Sequence, residues 1–372
     1  MTSLGLAAPL HLAAELSRAE RTLLRAERSI RLIDRLIPLE FATERERLLC
    51  ALTAGQAAEP RFRYAAAPEI ARFAVELNLL AESLAQYPEP AHFYADRARE
   101  LALEAELVVA IGSRRFVELA ALRYRPERLH GKPEIDAWVD ENLSASRAGQ
   151  STKYPETAEE TQSTERIRTD DTRDPRSLYN LLLREVGASK WPIRVEVRRE
   201  LWSVAAAGEG FVAIRAGALL TEREARRIVR HELMAHAVPR VLAVREGQGI
   251  FRVGARDAGE EEEGRALWLE EQGGYWDGAR PRVLALRHHA ASLVRAGATL
   301  NELVDSLAGL GAALPAALDL SLRVLRGGGL CRELMYVPAY LRVRAEFQRD
   351  PRVENVFQRG RASIAFARWL LG

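Results

Sequence analysis

Between Thr221 and Arg240 the chain reads TEREARRIVRHELMAHAVPR, and no other stretch restricts its fold and chemistry so tightly. Thr221 and Glu224 have the spacing of a capping box, which predicts a helix starting there. Ala225, Ile228, Val229 and Leu233 supply the apolar stripe of that helix, and Pro239 is expected to end it. His231, Glu232 and His236 all lie on it, in the order His-Glu-x-x-x-His. Neutral imidazole is a good ligand for Zn²⁺. A carboxylate beside the first ligand is placed to take a proton from water that the metal has made acidic. The pattern therefore predicts a catalytic zinc site with Glu232 as general base. The bland alternative is a histidine pair in a helical core with Glu232 at the surface.

The spacing sets a geometric condition. Histidines four residues apart stand about 40° apart around an α-helix, whereas five residues give about 140°. His231 and His236 reach one ion only if the turn between them widens, as in a π-bulge. A third ligand is expected on a following element. Glu260 to Glu263 form an unbroken glutamate run that opens another predicted helix. Taken alone, such a run is a solvated helix N-terminus, where the helix dipole favours negative charge. Beside this motif, one of its glutamates would complete a two-His, one-Glu sphere.

The whole chain has 372 residues, enough for two modest domains or one large one. Residues 1–143 read as a helical layer: Leu16, Leu23, Leu24, Ile30, Leu32, Ile33 and Leu36 recur at three- and four-residue steps before Pro38. Residues 144–172 are dominated by Ser, Thr, Glu and Gln and read as a polar linker or long surface loop. Residues 173–372 form the predicted catalytic domain. There Ile193, Val195 and Val197 alternate with charged residues, as in a half-buried strand. The stretches up to Gly208 and from Phe211 add further strands, and a small antiparallel sheet is the simplest arrangement. The expected fold class is α+β and mostly helical.

Charge narrows the partners. Acidic and basic residues nearly cancel, leaving a net charge of +2, without the basic excess of a nucleic-acid binder. Only Lys132, Lys153 and Lys190 are lysines; the arginine-rich remainder reads as codon bias, not a phosphate-binding surface. Cys50 and Cys331 cannot build a disulfide framework. No uncharged apolar run reaches the roughly 18 residues of a membrane span. The first residues lack a basic segment before their apolar stretch, so no secretory signal is expected and the cytoplasm is the expected compartment.

Glu262-Glu263-Gly264-Arg265-Ala266 resembles the Gln-Glu-Gly-Leu-Ala signature of the bacterial QEGLA-motif proteins, relatives of the eukaryotic microtubule-associated tyrosine carboxypeptidases. Members of that group carry a His-Glu-x-x-x-His helix, matched by His231, Glu232 and His236. Pro60–Tyr64 resembles their N-terminal Pro-x-Phe-x-Tyr element. Arg323–Gly327 and Tyr336 resemble their C-terminal Arg-Gly…Lys-Asp…Tyr-Leu region. There are departures: the signature Leu is Arg265, the Lys-Asp pair is Arg332-Glu333, and Tyr336 is followed by Val337 and Pro338.

The resemblance implies a gluzincin-like catalytic domain in which Glu263 joins His231 and His236 on Zn²⁺. It implies a carboxypeptidase acting on a peptide or protein C-terminus. Tyr336 is then a candidate oxyanion donor. Arg323, Arg326 and Arg332 are candidates for the terminal carboxylate, since a guanidinium suits its bidentate geometry. An extended substrate is expected to pair with an edge strand of the sheet. Two other readings compete: a non-catalytic zinc-binding regulator, because bacterial relatives carry a label about modulating flavohaemoglobin expression, and a dipeptidyl-peptidase-like zincin. His288-His289, the packed thiol of Cys331, the turn Gly327–Gly329 and the core anchors Trp191, Trp202 and Trp268 are expected to be structural.

Overall fold

The computed structural model describes residues 10–144, 165–247, 249–276 and 279–372, and most of the expected linker, 145–164, lies outside them. The architecture is α+β and dominated by helices, with one two-stranded and one three-stranded sheet among the described residues. The helices Ala71–Leu84, Ala91–Ala110 and Arg114–Arg123 lie within the expected helical layer, whereas the first helix, Leu10–Ile30, stops short of Pro38: Arg31 is left-handed, with φ 43°, and a separate short helix, Leu32–Arg35, follows. None of the described helices is long and apolar enough to cross a membrane.

The largest apolar core draws on both ends of the chain. Leu23, Phe73, Leu77 and Leu101 from the N-terminal helices meet Phe251, Phe347, Phe357 and Phe366 from the C-terminal third. A second core lies among the helices Ala279–Arg295, Leu300–Gly309 and Leu314–Leu325, with Leu48 contributed by Phe41–Thr53. A third joins the small sheet to the helix of the histidine motif, through Val212, Ile214, Ile228 and Leu233.

The five strands are β1 (Ile167–Arg168), β2 (Arg194–Arg198), β3 (Ala205–Gly208), β4 (Phe211–Arg215) and β5 (Leu219–Leu220). β1 pairs antiparallel with β5. The other three run in the order β2-β4-β3, with β3 antiparallel and β2 parallel to β4. The sheet is thus mixed and not wholly antiparallel. Strand direction alternates along the chain, and the tight turn at Glu209-Gly210 folds β4 back on β3. When β4 inserts between its two predecessors, its pairing with β2 has to be parallel. Ile193 is buried beside β2, but Val197 is 46% exposed, so only part of the alternating face is covered.

The helix over the glutamate run, Ala258–Gln272, lies against the helix Tyr336–Arg349. Gly264 makes that approach possible: a Cβ there would stand 2.4 Å from the Ala339 carbonyl oxygen and 2.6 Å from its carbon. Those are backbone atoms of a packed helix and cannot swing aside. Gly264→Ala is therefore expected to lower stability by roughly 1–3 kcal/mol through overpacking. Urea unfolding measures it, and an unchanged midpoint would refute the close-approach argument.

Candidate metal centre

Thr221 caps the motif helix as its sequence predicts. Its Oγ1 accepts from the Glu224 N–H at 3.2 Å, and the Glu224 carboxylate accepts from the Thr221 N–H at 2.7 Å. The chain is α-helical over Glu222–Ile228, π-helical over Val229–Ala237 and α-helical again over Val238–Ala243. The π segment covers both histidines. Its i→i+5 hydrogen bonding carries a residue five positions on over the first, which is the widening their spacing demands.

Pro239 does not end the helix, contrary to its sequence reading, but lies inside the helical run. A proline there withholds an N–H from the preceding turn, where the register is still i→i+5 and the Val238 N–H goes to the Leu233 carbonyl. Arg265 braces that turn, with Nη1 donating to the Ala235 oxygen at 3.0 Å. The departure from the signature Leu thus serves the helix behind the site, not a substrate surface. Burial lowers the pKa of Arg265 to about 10.

One nitrogen from each of His231 and His236 and one oxygen of Glu263 lie within 4.8 Å of one another. The Glu263 Oε2 is 3.4 Å from His231 Nε2 and 3.8 Å from His236 Nε2. Burial opposes charge on His231, but its bonds to Glu263 and Glu270 prevail and raise its pKa to about 9. Glu263 responds in the opposite sense: burial opposes its charge, yet the imidazoles and Arg332 hold it well below the usual carboxylate range. The pocket between these groups favours positive charge. Two imidazoles and one carboxylate converging there are a donor set that fits a zinc ion.

The glutamate run is not a solvated helix start. Glu260, Glu261 and Glu262 are buried and Glu263 is partly buried. Each has its own partner. Glu260 meets Arg123 Nη1 at 2.7 Å. Glu261 accepts from the Ile364 N–H at 2.6 Å and pairs with Arg342 at 2.8 Å. Glu262 faces Arg361 at 3.3 Å and His236 Nδ1 at 3.8 Å. A second acidic grouping, Glu100, Asp257 and Glu260, is already occupied by the guanidiniums of Arg97, Arg123 and Arg128.

Glu232 points at the sheet. Its Oε2 accepts from the Ala207 N–H of β3 at 2.9 Å. Arg240 donates to the Ala207 carbonyl at 2.9 Å, and Ser203 to the Ala205 carbonyl at 2.7 Å. These edge groups, on which an extended substrate is expected to pair, are already bonded within the chain.

The expected substrate-binding arginines differ among themselves. Arg332 Nη2 donates to Glu263 Oε1 at 3.0 Å, and its guanidinium lies 5.6 Å from the centre of the Tyr336 ring. Arg323 is held by Glu333 at 2.5 Å. Arg332-Glu333 thus keeps the basic-acidic order of Lys-Asp, with each member paired. Arg326 lies 5.0 Å over the Trp202 ring. Burial, and after it the neighbouring Arg323, lowers its pKa to about 10. Tyr336 is buried beside Arg332, and burial pushes its phenol up to about 12. The Pro60–Tyr64 element reaches the same region: the Tyr64 hydroxyl accepts from the Gly327 N–H at 2.7 Å.

Trp191 and Trp202 are only partly buried, and the other remaining sequence candidates sit in packed or turn positions. His289 bonds to Ser306 at 2.9 Å, and His288 is buried. Gly327, Gly328 and Gly329 all have positive φ, as a turn requires. Cys331 is buried, and Trp268 belongs to the largest core. Sequence reasoning missed Glu270, whose Oε1 is 2.8 Å from His231 Nδ1. Its signal was present: it follows Glu263 by seven residues, about two turns along the same helix face.

A family model described as microtubule-associated tyrosine carboxypeptidase matches residues 52–366, a span that includes every residue of this group. No curated protein and no solved structure matches the chain.

Proposed function

The chain belongs to the microtubule-associated tyrosine carboxypeptidase family, and from that premise we propose that it is a zinc-dependent carboxypeptidase that removes a residue from a peptide or protein C-terminus. One observation carries the reading: His231, His236 and Glu263 converge within 4.8 Å across a π-helical turn that also bears Glu232. The family match includes the carboxypeptidase description and supports the reaction class.

His231, His236 and Glu263 would hold Zn²⁺, which when bound polarises a carbonyl and lowers the pKa of water toward about 7. The chain's own groups do the rest. Glu232 takes the proton from the attacking water and passes it to the leaving amine as the C–N bond breaks. The Ala207 N–H holds one oxygen of that carboxylate and so fixes its direction. Arg332 stands beside Glu263 with Tyr336 next to it, where a guanidinium can receive the terminal carboxylate and a phenol the developing oxyanion. Arg323 pairs with Glu333, the residue that follows Arg332.

Elemental analysis together with peptide release tests this. Wild type is expected to carry about one zinc per chain and to release a residue from peptides with a free C-terminus, but not from C-terminally amidated ones. His236→Ala is expected to lose the metal and the activity. Equal zinc in both proteins would reject the ligand set. A requirement for a free N-terminus would favour a dipeptidyl peptidase, and zinc without any peptide release a binding role.

A further inference from the structure

Neither the family resemblance nor the motif assigns a role to Glu270, yet it is the most heavily bonded carboxylate near the histidines. It is 0% exposed. Its Oε1 takes His231 Nδ1 at 2.8 Å, Arg227 Nη1 at 2.9 Å and Arg280 Nη2 at 2.9 Å, while Oε2 takes Arg280 Nε at 2.6 Å. Four donor contacts thus reach one carboxylate, three of them on Oε1. Arg280 engages it through the fork geometry that fixes direction as well as distance. The network ties three helices together: Arg227 from Glu222–Ile228, Glu270 from Ala258–Gln272 and Arg280 from Ala279–Arg295.

We infer that Glu270 is a positioning residue for His231, locking its imidazole so that Nε2 faces Glu263 and His236. An ionised carboxylate only accepts, so Nδ1 keeps its hydrogen, and when His231 gives up the other proton, as a metal ligand must, the lone pair is left on Nε2. That nitrogen is the one 3.4 Å from Glu263 Oε2. His236 provides the contrast. Its Nδ1 makes no hydrogen bond among the described residues; Glu262, the carboxylate facing it, stands 3.8 Å away and is drawn to Arg361 and Arg240. Only one of the two imidazoles is therefore locked, and Glu270 locks it. This rests on the zinc-site reading. The physical expectation is that a ligand whose second nitrogen is fixed by a carboxylate binds metal more tightly, because neither tautomer nor ring rotation must be selected on binding.

Competition of the purified full chain with a zinc chelator tests the role. Glu270→Gln is expected to bind Zn²⁺ about 10–100-fold more weakly than wild type. Because the two arginines it leaves behind could by themselves disturb the fold, a triple variant, Arg227→Gln, Glu270→Gln and Arg280→Gln, removes their charge too. Its metal-free melting temperature is expected to recover toward wild type while zinc affinity stays low. Recovery of both fold and affinity would make Glu270 a mere counter-charge and overturn the inference. So would a Glu270→Gln affinity within about twofold of wild type, well short of the loss expected from a fixed ligand. A wild type that binds no zinc would remove the proposed centre itself, a failure distinguishable from either.

Discussion

Glu232→Gln is expected to lower turnover about 10²–10⁴-fold, the contribution of a positioned general base, with zinc content and melting temperature unchanged. Glutamine keeps the size of the side chain and can still accept the Ala207 N–H that glutamate receives at 2.9 Å. It cannot take a proton. No ligand of the proposed centre is removed, so metal retention separates loss of the base from loss of the site. The π-helical turn that brings the histidines together is made by backbone bonds, and this substitution leaves them intact. Steady-state kinetics on a free-C-terminus peptide, with zinc measured on the same preparation, is the check. Full activity in Glu232→Gln would reject the proposed proton path. Loss of zinc along with activity would instead mean that Glu232 holds the metal centre together.

The motif helix was legible because its instructions are local. A capping box is a matter of four consecutive residues, and Thr221 and Glu224 form it as read. The histidine spacing was informative in a different way: five residues on one α-helix cannot converge, so convergence required the π turn that the structure contains. What was not legible depended on distant partners. Nothing in Glu260–Glu263 announces that Arg123, Arg342 and Arg361 come from elsewhere in the chain to meet it. In isolation those glutamates look solvated. Pro239 likewise looks like a stop, yet the helix runs through it, and Arg265 from another helix donates to the Ala235 carbonyl in the turn before it. The parallel pairing of β2 with β4 was hidden for the same reason, since the order of strands in a sheet is not a property of any one strand. Arg332 shows how far the site itself could be read. Its chemistry fits a carboxylate, as expected, and the carboxylate it holds in the structure is that of Glu263.

Arg123 carries the largest expected stability effect. It is 4% exposed, and its guanidinium meets Glu260 at 2.7 Å, Glu104 at 2.9 Å and Glu100 at 3.1 Å. It thereby ties the N-terminal helices Ala91–Ala110 and Arg114–Arg123 to the helix that bears Glu263. Arg123→Met keeps most of the side chain's length and leaves these carboxylates short of a cation. Breaking a buried ion pair by removing one partner costs about 3–5 kcal/mol, which denaturant unfolding measures. The pH dependence carries a definite sign. Burial opposes the charge of Glu100, but Arg123 and Arg97 hold its pKa down to about 2. In wild type its stabilising contribution is present above the unfolded-state pKa and is lost as pH falls through the folded one. Burial raises the pKa of Glu260 even with Arg123 present. Without Arg123 both groups shift upward, and a raised carboxylate destabilises most above its folded-state pKa. The gap between wild type and Arg123→Met should therefore be widest near neutral pH and narrow as the pH falls toward the ordinary carboxylate range, where protonation discharges the orphaned glutamates. A loss below about 1 kcal/mol, the scale of an exposed pair, would mean that water reaches the cluster and that Arg123 does not hold the glutamate helix in place.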